Sequence, residues 1–168
     1  MKHSCIWNAC QGEKRQPLMN KQKKEVVGSF MRTATGELQR ARDSYLQNDC
    51  AESVGASQRC VEYSVKAVLY SLGIRYSRGH GWDREQFAYV AKRIRQDAAL
   101  PPRLQEHGLD CVTLARLLLL VRSWSQFYLP LKYASDYKQL PPSEDLLKQQ
   151  EAELALSHAE ECYRAVKD

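Results

Sequence analysis

The most regular hydrophobic pattern in the chain centres on residues 58–72. Apolar side chains recur at intervals of three and four residues, as on one face of an α-helix: Val54, Val61, Val65, Leu69 and Leu72, with Val68 beside them. Valine is an indifferent helix former because its side chain is β-branched, so tertiary packing must hold this helix. The pattern therefore predicts a central helix that ends near Leu72, with Gly73 as its C-terminal cap.

Helical periodicity predicts four further helices, over residues 34–48, 84–98, 108–128 and from residue 143 to the C-terminus. Asn48 and Asp49 break the first of these, and Pro101 and Pro102 end the third. The fourth is rich enough in leucine for us to expect burial on most sides. Because no strand pattern of period two occurs, the sequence predicts an all-α, up-and-down bundle of about five helices.

Two of these helices have well-defined faces. The third is expected to turn Phe87, Val90, Ala91 and Ile94 inward and to keep Arg84, Lys92, Arg93 and Arg95 in solvent. The last has a stripe of mostly small residues that would let a partner helix approach closely: Ala152, Ala155, Ala159, Cys162 and Val166. Cys60 and Cys162 fall in amphipathic stretches, where cysteine acts as a small hydrophobe.

The N-terminal segment differs from the rest of the chain. Residues 1–32 lack sustained periodicity and hold seven of the 25 Lys/Arg residues but only two of the 20 acids. We predict a flexible basic arm over residues 1–32 and a bundle domain over residues 33–168. Two alternatives remain for the arm: it contacts nucleic acid through counterion release, or it is a solvated tail without a role.

Charge is also uneven within the bundle. Residues 75–103 hold seven basic and three acidic residues, whereas residues 144–168 hold seven acidic and three basic residues. The two stretches would face each other inside the fold or across a dimer, or the basic stretch would face a ligand that carries phosphate.

Composition excludes several classes of protein. No apolar run approaches the ~20 residues of a membrane span, and the N-terminus lacks the hydrophobic region of a signal peptide. The six cysteines form no CxxC pair, so we expect reduced thiols and a cytoplasmic location. No ligand set at a recognisable spacing indicates a metal site, and no cofactor is predicted.

Several short segments together resemble the HEPN domain family. Gln58, Cys60, Glu62, Lys66, Ala67 and Leu69 follow the spacing of the family's second-helix pattern, Gln-x-Ala-x-Glu-x-x-x-Lys-Ala-x-Leu. Gly79-His80 resembles the family's turn into the next helix. Tyr128 with Lys132-Tyr133-Ala134 resembles its Tyr…Arg-Tyr-Pro segment after the fourth helix. The resemblance covers roughly residues 33–168.

The resemblance implies a helical bundle that usually dimerises and a role in nucleotide or RNA handling, often beside a small nucleotidyltransferase encoded nearby. Some branches of the family are metal-independent RNases with an Arg-x4-6-His motif. Other branches lack this motif and only bind. Fold alone does not decide between these functions.

Six residues are candidates for ligand binding: Glu62, Lys66, Arg78, His80, Lys132 and Tyr133. Glu62 and Lys66 stand four residues apart, so they either line a polar cleft that faces a nucleotide or form an ion pair on the outer surface. Lys132 and Tyr133 either hold the phosphate and base of a ligand or simply tuck their loop onto the bundle. His158 and Glu161 on the last helix are expected to be solvated.

A catalytic alternative rests on Arg75 and His80, which four residues separate. A histidine can move protons near neutral pH, and an arginine can stabilise charge that develops on phosphate. The pair lies after the second helix, however, whereas the motif of the RNase branches lies later in the chain. The leading hypothesis is therefore a non-catalytic, homodimeric HEPN protein that binds a nucleotide, an RNA or a partner protein. The alternatives are an RNase that uses Arg75 and His80, or an adaptor for a nucleotidyltransferase.

Overall fold

The computed structural model describes residues 12–74, 76, 82, 84–127 and 146–167. These residues form six α-helices, α1 Gly12–Leu46, α2 Cys50–Ser71, α3 Arg84–Gln96, α4 Leu100–Gln105, α5 Cys111–Trp124 and α6 Gln149–Lys167, with a 3-10 turn at Ser125–Phe127. The described residues contain no β-strand, and the predicted all-α bundle is confirmed. Helices α1, α2 and α6 pack against one another, and α5 packs on α2 and α6. No helix in these ranges is long and apolar enough to cross a lipid bilayer.

Helix α2 is the predicted central helix. Its apolar stripe is fully buried, at 0–1% exposure: Val54, Val61, Val65, Leu69 and Leu72. The side chain of Asp49 caps the N-terminus by accepting a hydrogen bond from the backbone N–H of Glu52 at 3.0 Å. Gly73, at φ 69°, ends the helix, and the next N–H, of Ile74, donates to the Leu69 carbonyl at 2.8 Å. This is the Schellman arrangement, for which glycine is the preferred residue.

Helix α1 is much longer than the predicted helix over residues 34–48. It begins at Gly12, so residues 12–32, expected to belong to a flexible arm, are helical, and the predicted domain boundary falls within the helix. The ring of Phe30 lies 6.2 Å from the ring of Tyr63 and 6.3 Å from that of Tyr70. Because the segment before Phe30 is rich in lysine, the sequence pattern did not predict that this side of α1 packs against α2. Residues 1–11 of the arm lie outside the described ranges.

The segment between α3 and α5 also departs from the prediction. Pro101 and Pro102 lie in the first turn of a short helix, α4, where the missing N–H of proline costs little. Gly108, at φ 67°, follows α4 and does not begin the next helix. Helix α5 starts after Asp110, whose side chain accepts a hydrogen bond from the backbone N–H of Thr113 at 2.6 Å.

The two last helices differ in how far they are buried. Helix α5 was expected to be covered on most sides, but Val112 and Leu119 are 77% and 53% exposed. Its buried face comprises Leu114, Leu117, Leu118, Leu120, Val121 and Trp124. The small residues of α6 are buried as predicted: Ala152, Ala155, Ala159 and Cys162. The expected start of this last helix at Ser143 lies outside the described residues.

Burial raises the pKa of the Cys60 thiol to about 12, so Cys60 serves as a small hydrophobe.

Candidate functional site

A buried polar row runs along one face of α2. Gln58, Glu62 and Lys66 follow at intervals of four residues, which places their side chains on the same face of the helix. Gln58 Nε2 donates to Glu62 Oε2 at 3.1 Å, and Lys66 Nζ donates to Glu62 Oε1 at 2.5 Å. Gln58 is 3%, Glu62 1% and Lys66 4% exposed. The ion pair between Glu62 and Lys66 exists, but it is not the outer-surface pair that was one of the two alternatives.

Aromatic rings surround the ammonium end of this row. Lys66 Nζ lies 5.7 Å from the ring centroid of Tyr63 and 6.0 Å from that of Tyr76, within the range of cation–π attraction. The ring of Phe30 on α1 lies 6.3 Å from that of Tyr76. Phe30, at the middle of α1, thus packs beside the aromatic residues of this buried site.

Burial limits what the polar row can do chemically. A ligand reaches Glu62 or Lys66 only if the residues that cover them move. The hypothesis that they line a nucleotide cleft therefore stays a prediction. In the observed conformation the row links three buried side chains of α2 and holds the Lys66 ammonium beside the rings of Tyr63 and Tyr76.

The other predicted site residues lie outside the described ranges: Arg75, Arg78, His80, Lys132 and Tyr133. Their roles stay predictions. The described neighbours of the first three are well anchored, because Tyr76 contacts Lys66 and Trp82 is 1% exposed. The carbonyl of Trp82 accepts a hydrogen bond from Arg122 Nη1 on α5.

Helix α3 presents the basic surface that its pattern predicted, together with an exposed aromatic ring, Tyr89, that the pattern did not single out. Tyr89 is 45% exposed, and Lys92 and Arg93 follow three and four residues later, on the same side of the helix. We call these three residues the α3 patch. Among the described residues, neither Lys92 nor Arg93 has an acidic partner. The predicted exposure of four basic residues is confirmed: Arg84, Lys92, Arg93 and Arg95.

The acidic residues of α6 pair elsewhere in the bundle. Glu160 accepts hydrogen bonds from Arg42 of α1 at 2.8 and 3.0 Å, and Glu161 is bound by Arg116 of α5. Within the described residues, no acid of α6 pairs with the basic residues of α3. Facing of the two charged stretches inside the fold is thus not observed there, and the basic surface of α3 is open to solvent.

His158 was expected to be solvated. It instead belongs to a cluster of side chains between α5 and α6. The indole N–H of Trp124 donates to His158 Nδ1 at 3.1 Å. Arg116 Nη2 lies 3.4 Å from His158 Nε2, while Arg116 binds both carboxylate oxygens of Glu161 at 2.9 and 3.1 Å. Glu161 is partly exposed at this rim. No sequence signal links Trp124 to His158, because the two residues lie on different helices.

The indole donor sets the tautomer of His158. Because an indole nitrogen only donates, Nδ1 must accept, and the proton of the neutral ring sits on Nε2. A second proton on Nδ1 would face the indole N–H. Desolvation and then the charge of Arg116 lower the pKa of His158 below its ordinary value of 6.5, against an opposing effect of Glu161. His158 is therefore held neutral near physiological pH.

The described residues offer no site for a metal: no group of three or more His, Cys, Asp or Glu side chains is arranged to hold an ion among them.

Comparison with known proteins places the chain in a family. A model of the HEPN domain matches residues 27–168. The chain belongs to the HEPN domain family. The match begins inside α1, so this HEPN domain includes Phe30 and residues 27–32, which were predicted to lie in the arm. No curated protein matches the chain significantly.

A solved structure has a similar fold. The crystal structure of TT1696 from Thermus thermophilus superposes with a TM-score of 0.56 and 17% sequence identity, over 84% of this chain and 95% of that one. At that identity the likeness shows the fold alone. Three of the residues that carried the family resemblance, Gln58, Glu62 and Lys66, form the buried polar row, and Gln58 is the one of these three that was not named as a candidate.

We expect that Glu62→Leu will lower the free energy of unfolding by about 3–5 kcal/mol, because it leaves the buried Lys66 ammonium without its carboxylate partner. The double variant Glu62→Leu/Lys66→Met should recover much of this loss, since neither charge is then buried. Urea denaturation measures both. The matched control is Glu160→Gln, which breaks the exposed pair with Arg42 and should cost less than about 1 kcal/mol. Equal costs for the buried and exposed pairs would contradict the structural role given to the row.

The His158 cluster predicts a pH dependence of stability. The folded state takes up the proton of His158 at lower pH than the unfolded chain does. The His158 contribution is therefore complete above the ordinary pKa and is lost as the pH falls through the lowered one. Trp124→Phe removes the indole donor and should raise the pKa of His158, as measured by an NMR titration of the imidazole signals. His158→Gln should remove this part of the pH dependence. An unchanged His158 titration in Trp124→Phe would show that the indole adds nothing to the effects of desolvation and Arg116 on this pKa.

Proposed function

We propose that this HEPN protein binds RNA or a nucleotide without catalysing a reaction, as a cytoplasmic homodimer that works with a small nucleotidyltransferase. Family membership supports the general assignment to nucleotide or RNA handling. The α3 patch carries the specific proposal of RNA binding.

The α3 patch has the chemistry that single-stranded nucleic acid needs. Tyr89 offers a ring on which a base can stack, and Lys92 and Arg93 offer cations for the adjacent phosphates. Tyr89 is 45% exposed, so a base can reach its ring without a rearrangement of the core. Glu160 and Glu161 of α6 pair with Arg42 and Arg116, and no acid among the described residues pairs with the patch.

The buried polar row has a structural role in this proposal. Glu62 and Lys66 are too deeply buried to take up a ligand in the observed conformation, and the Lys66 ammonium lies beside the ring of Tyr63. The remaining candidates, Arg78, His80, Lys132 and Tyr133, are proposed as further ligand contacts on the strength of the family resemblance.

An exposed apolar face on α5 supports the proposed homodimer. Val112 and Leu119 are seven residues apart, which places them on the same side of the helix, and both are largely exposed. Leu154, on the neighbouring α6, is 52% exposed as well. Large apolar side chains grouped at a surface are typical of contacts between subunits.

We expect the protein to bind a labelled single-stranded RNA and to leave it intact. Lys92→Glu/Arg93→Glu should weaken binding and lower the slope of log K against log salt by about 1.4, since each lost phosphate contact on a single strand removes about 0.7. Tyr89→Ala should cost about 1–3 kcal/mol of binding free energy through lost stacking. Fluorescence anisotropy across a salt series measures both.

The matched control is Arg40→Glu/Lys148→Glu, which makes the same change in net charge at exposed positions of α1 and near the start of α6. Equal loss of affinity in the control would show that net charge, and not the α3 patch, governs binding. The same RNA reports on the catalytic alternative. Cleavage in the presence of a metal chelator that disappears in His80→Ala would contradict the non-catalytic proposal and favour an RNase.

The nucleotidyltransferase partner is tested by co-purification. If the HEPN protein works with such an enzyme, the two should elute together at a fixed ratio in size-exclusion chromatography. Retention of that complex in a variant that no longer binds RNA would favour the alternative of a pure adaptor. Separate elution at micromolar concentrations would contradict the partnership.

A further inference from the structure

We infer that a cavity at one end of the bundle binds an amphiphilic organic anion: an alkyl chain that ends in a carboxylate or a phosphate group. The cavity lies between α1, the last turns of α2, the segment before α5 and the C-terminal turn of α6. It has a volume of about 600 Å³, within the 300–1,000 Å³ that small-molecule sites usually occupy. It is separate from the α3 patch and from the buried polar row, and the inference does not depend on the proposed function.

The interior of the cavity is apolar. Val27, Val68, Leu109 and Val166 line it. Ser71 also lines it, but its hydroxyl already donates to the Val68 carbonyl at 2.8 Å. On such a surface, most polar edge atoms of a nucleobase would lack hydrogen-bond partners, which costs binding free energy. An alkyl chain has no polar atoms to pair, and its transfer out of water is favourable.

Small residues leave the cavity open. Gly28, Ala67 and Ala165 line it with at most a methyl group each. A Cβ atom built on Gly28 would meet only Arg32 Nη1, at 3.4 Å. Helix α1 therefore tolerates a side chain at position 28, and the space there is available to a ligand.

The charge on the lining is positive. Lys23 and Lys24 of α1 and the imidazole-bearing His107 line the cavity, and no acidic residue is among the described residues that do so. Cations beside an apolar interior complement a molecule with an anionic head and an apolar tail. Carboxylate and phosphate heads share this chemistry, so the ligands tested must distinguish them.

The test measures binding of decanoate, decyl phosphate, decanol and acetate to the full chain by isothermal titration calorimetry, below the micelle concentration of each. At least one of decanoate and decyl phosphate should bind with one-to-one stoichiometry, and the tighter of the two identifies the head group. Decanol should bind about three- to tenfold more weakly, because exposed ion pairs contribute modestly. Acetate should not bind, because it lacks the tail.

Two variants locate the site. Gly28→Leu places an apolar side chain in the cavity and should weaken binding of the anion by about tenfold or more, because tail contacts are lost. The matched control is Gly36→Leu, on an exposed part of α1 where a Cβ meets nothing within 4 Å, and it should bind as the wild type does. Lys23→Gln/Lys24→Gln should reduce binding of the anion to the level of decanol and leave decanol binding unchanged.

The inference is overturned if neither anion binds or if decanol binds as tightly as the anions. It is overturned as well if Gly36→Leu weakens binding as much as Gly28→Leu does. If AMP binds, is lost in Gly28→Leu, and no alkyl anion binds, the cavity is a nucleotide site and the inference is also overturned. RNA binding through the α3 patch should be the same in both glycine variants, so failure here is distinguishable from failure of the proposed function.

Discussion

The bundle depends on burying a charged pair in its central helix. Glu62 and Lys66 are removed from water together with Gln58, and each charge would cost several kcal/mol if it were buried alone. The 2.5 Å contact between them, and the tyrosine rings beside the ammonium, offset much of that cost. The pair must therefore form as the core closes around this face of α2. A purely apolar helix of the same length would impose no such condition on its neighbours.

The same constraint separates the structural charges from those available to ligands. The core uses Glu62 and Lys66, and the interfaces of α6 use the pairs of Arg42 with Glu160 and of Arg116 with Glu161. In the described part of the chain, the basic residues of α3 form no such ion pair. This is why the functional proposals rest on the surface of the HEPN bundle, although the family pattern itself lies in the core.

The comparison with TT1696 illustrates how loosely this fold constrains sequence. The two chains share the fold at 17% identity. A helical bundle needs apolar side chains at helical spacing and few specific residues. Membership of the HEPN family therefore establishes the architecture, while activity depends on side chains at particular surface positions. The α3 patch and the cavity lined by Lys23 and Lys24 are the positions that we propose for such roles in this protein.

Local interactions were determined by the sequence itself. The buried stripe of α2, its end at Gly73 and the pairing of Glu62 with Lys66 each involve residues within a few positions of one another, so helical spacing alone predicts them. Tertiary structure decided what depends on distant segments. It buried the pair of Glu62 and Lys66, at 1% and 4% exposure, and it placed Trp124 against His158. The full length of α1 was not predicted for the same reason. Phe30 packs against Tyr63 and Tyr70 of α2, which lie far from it along the chain.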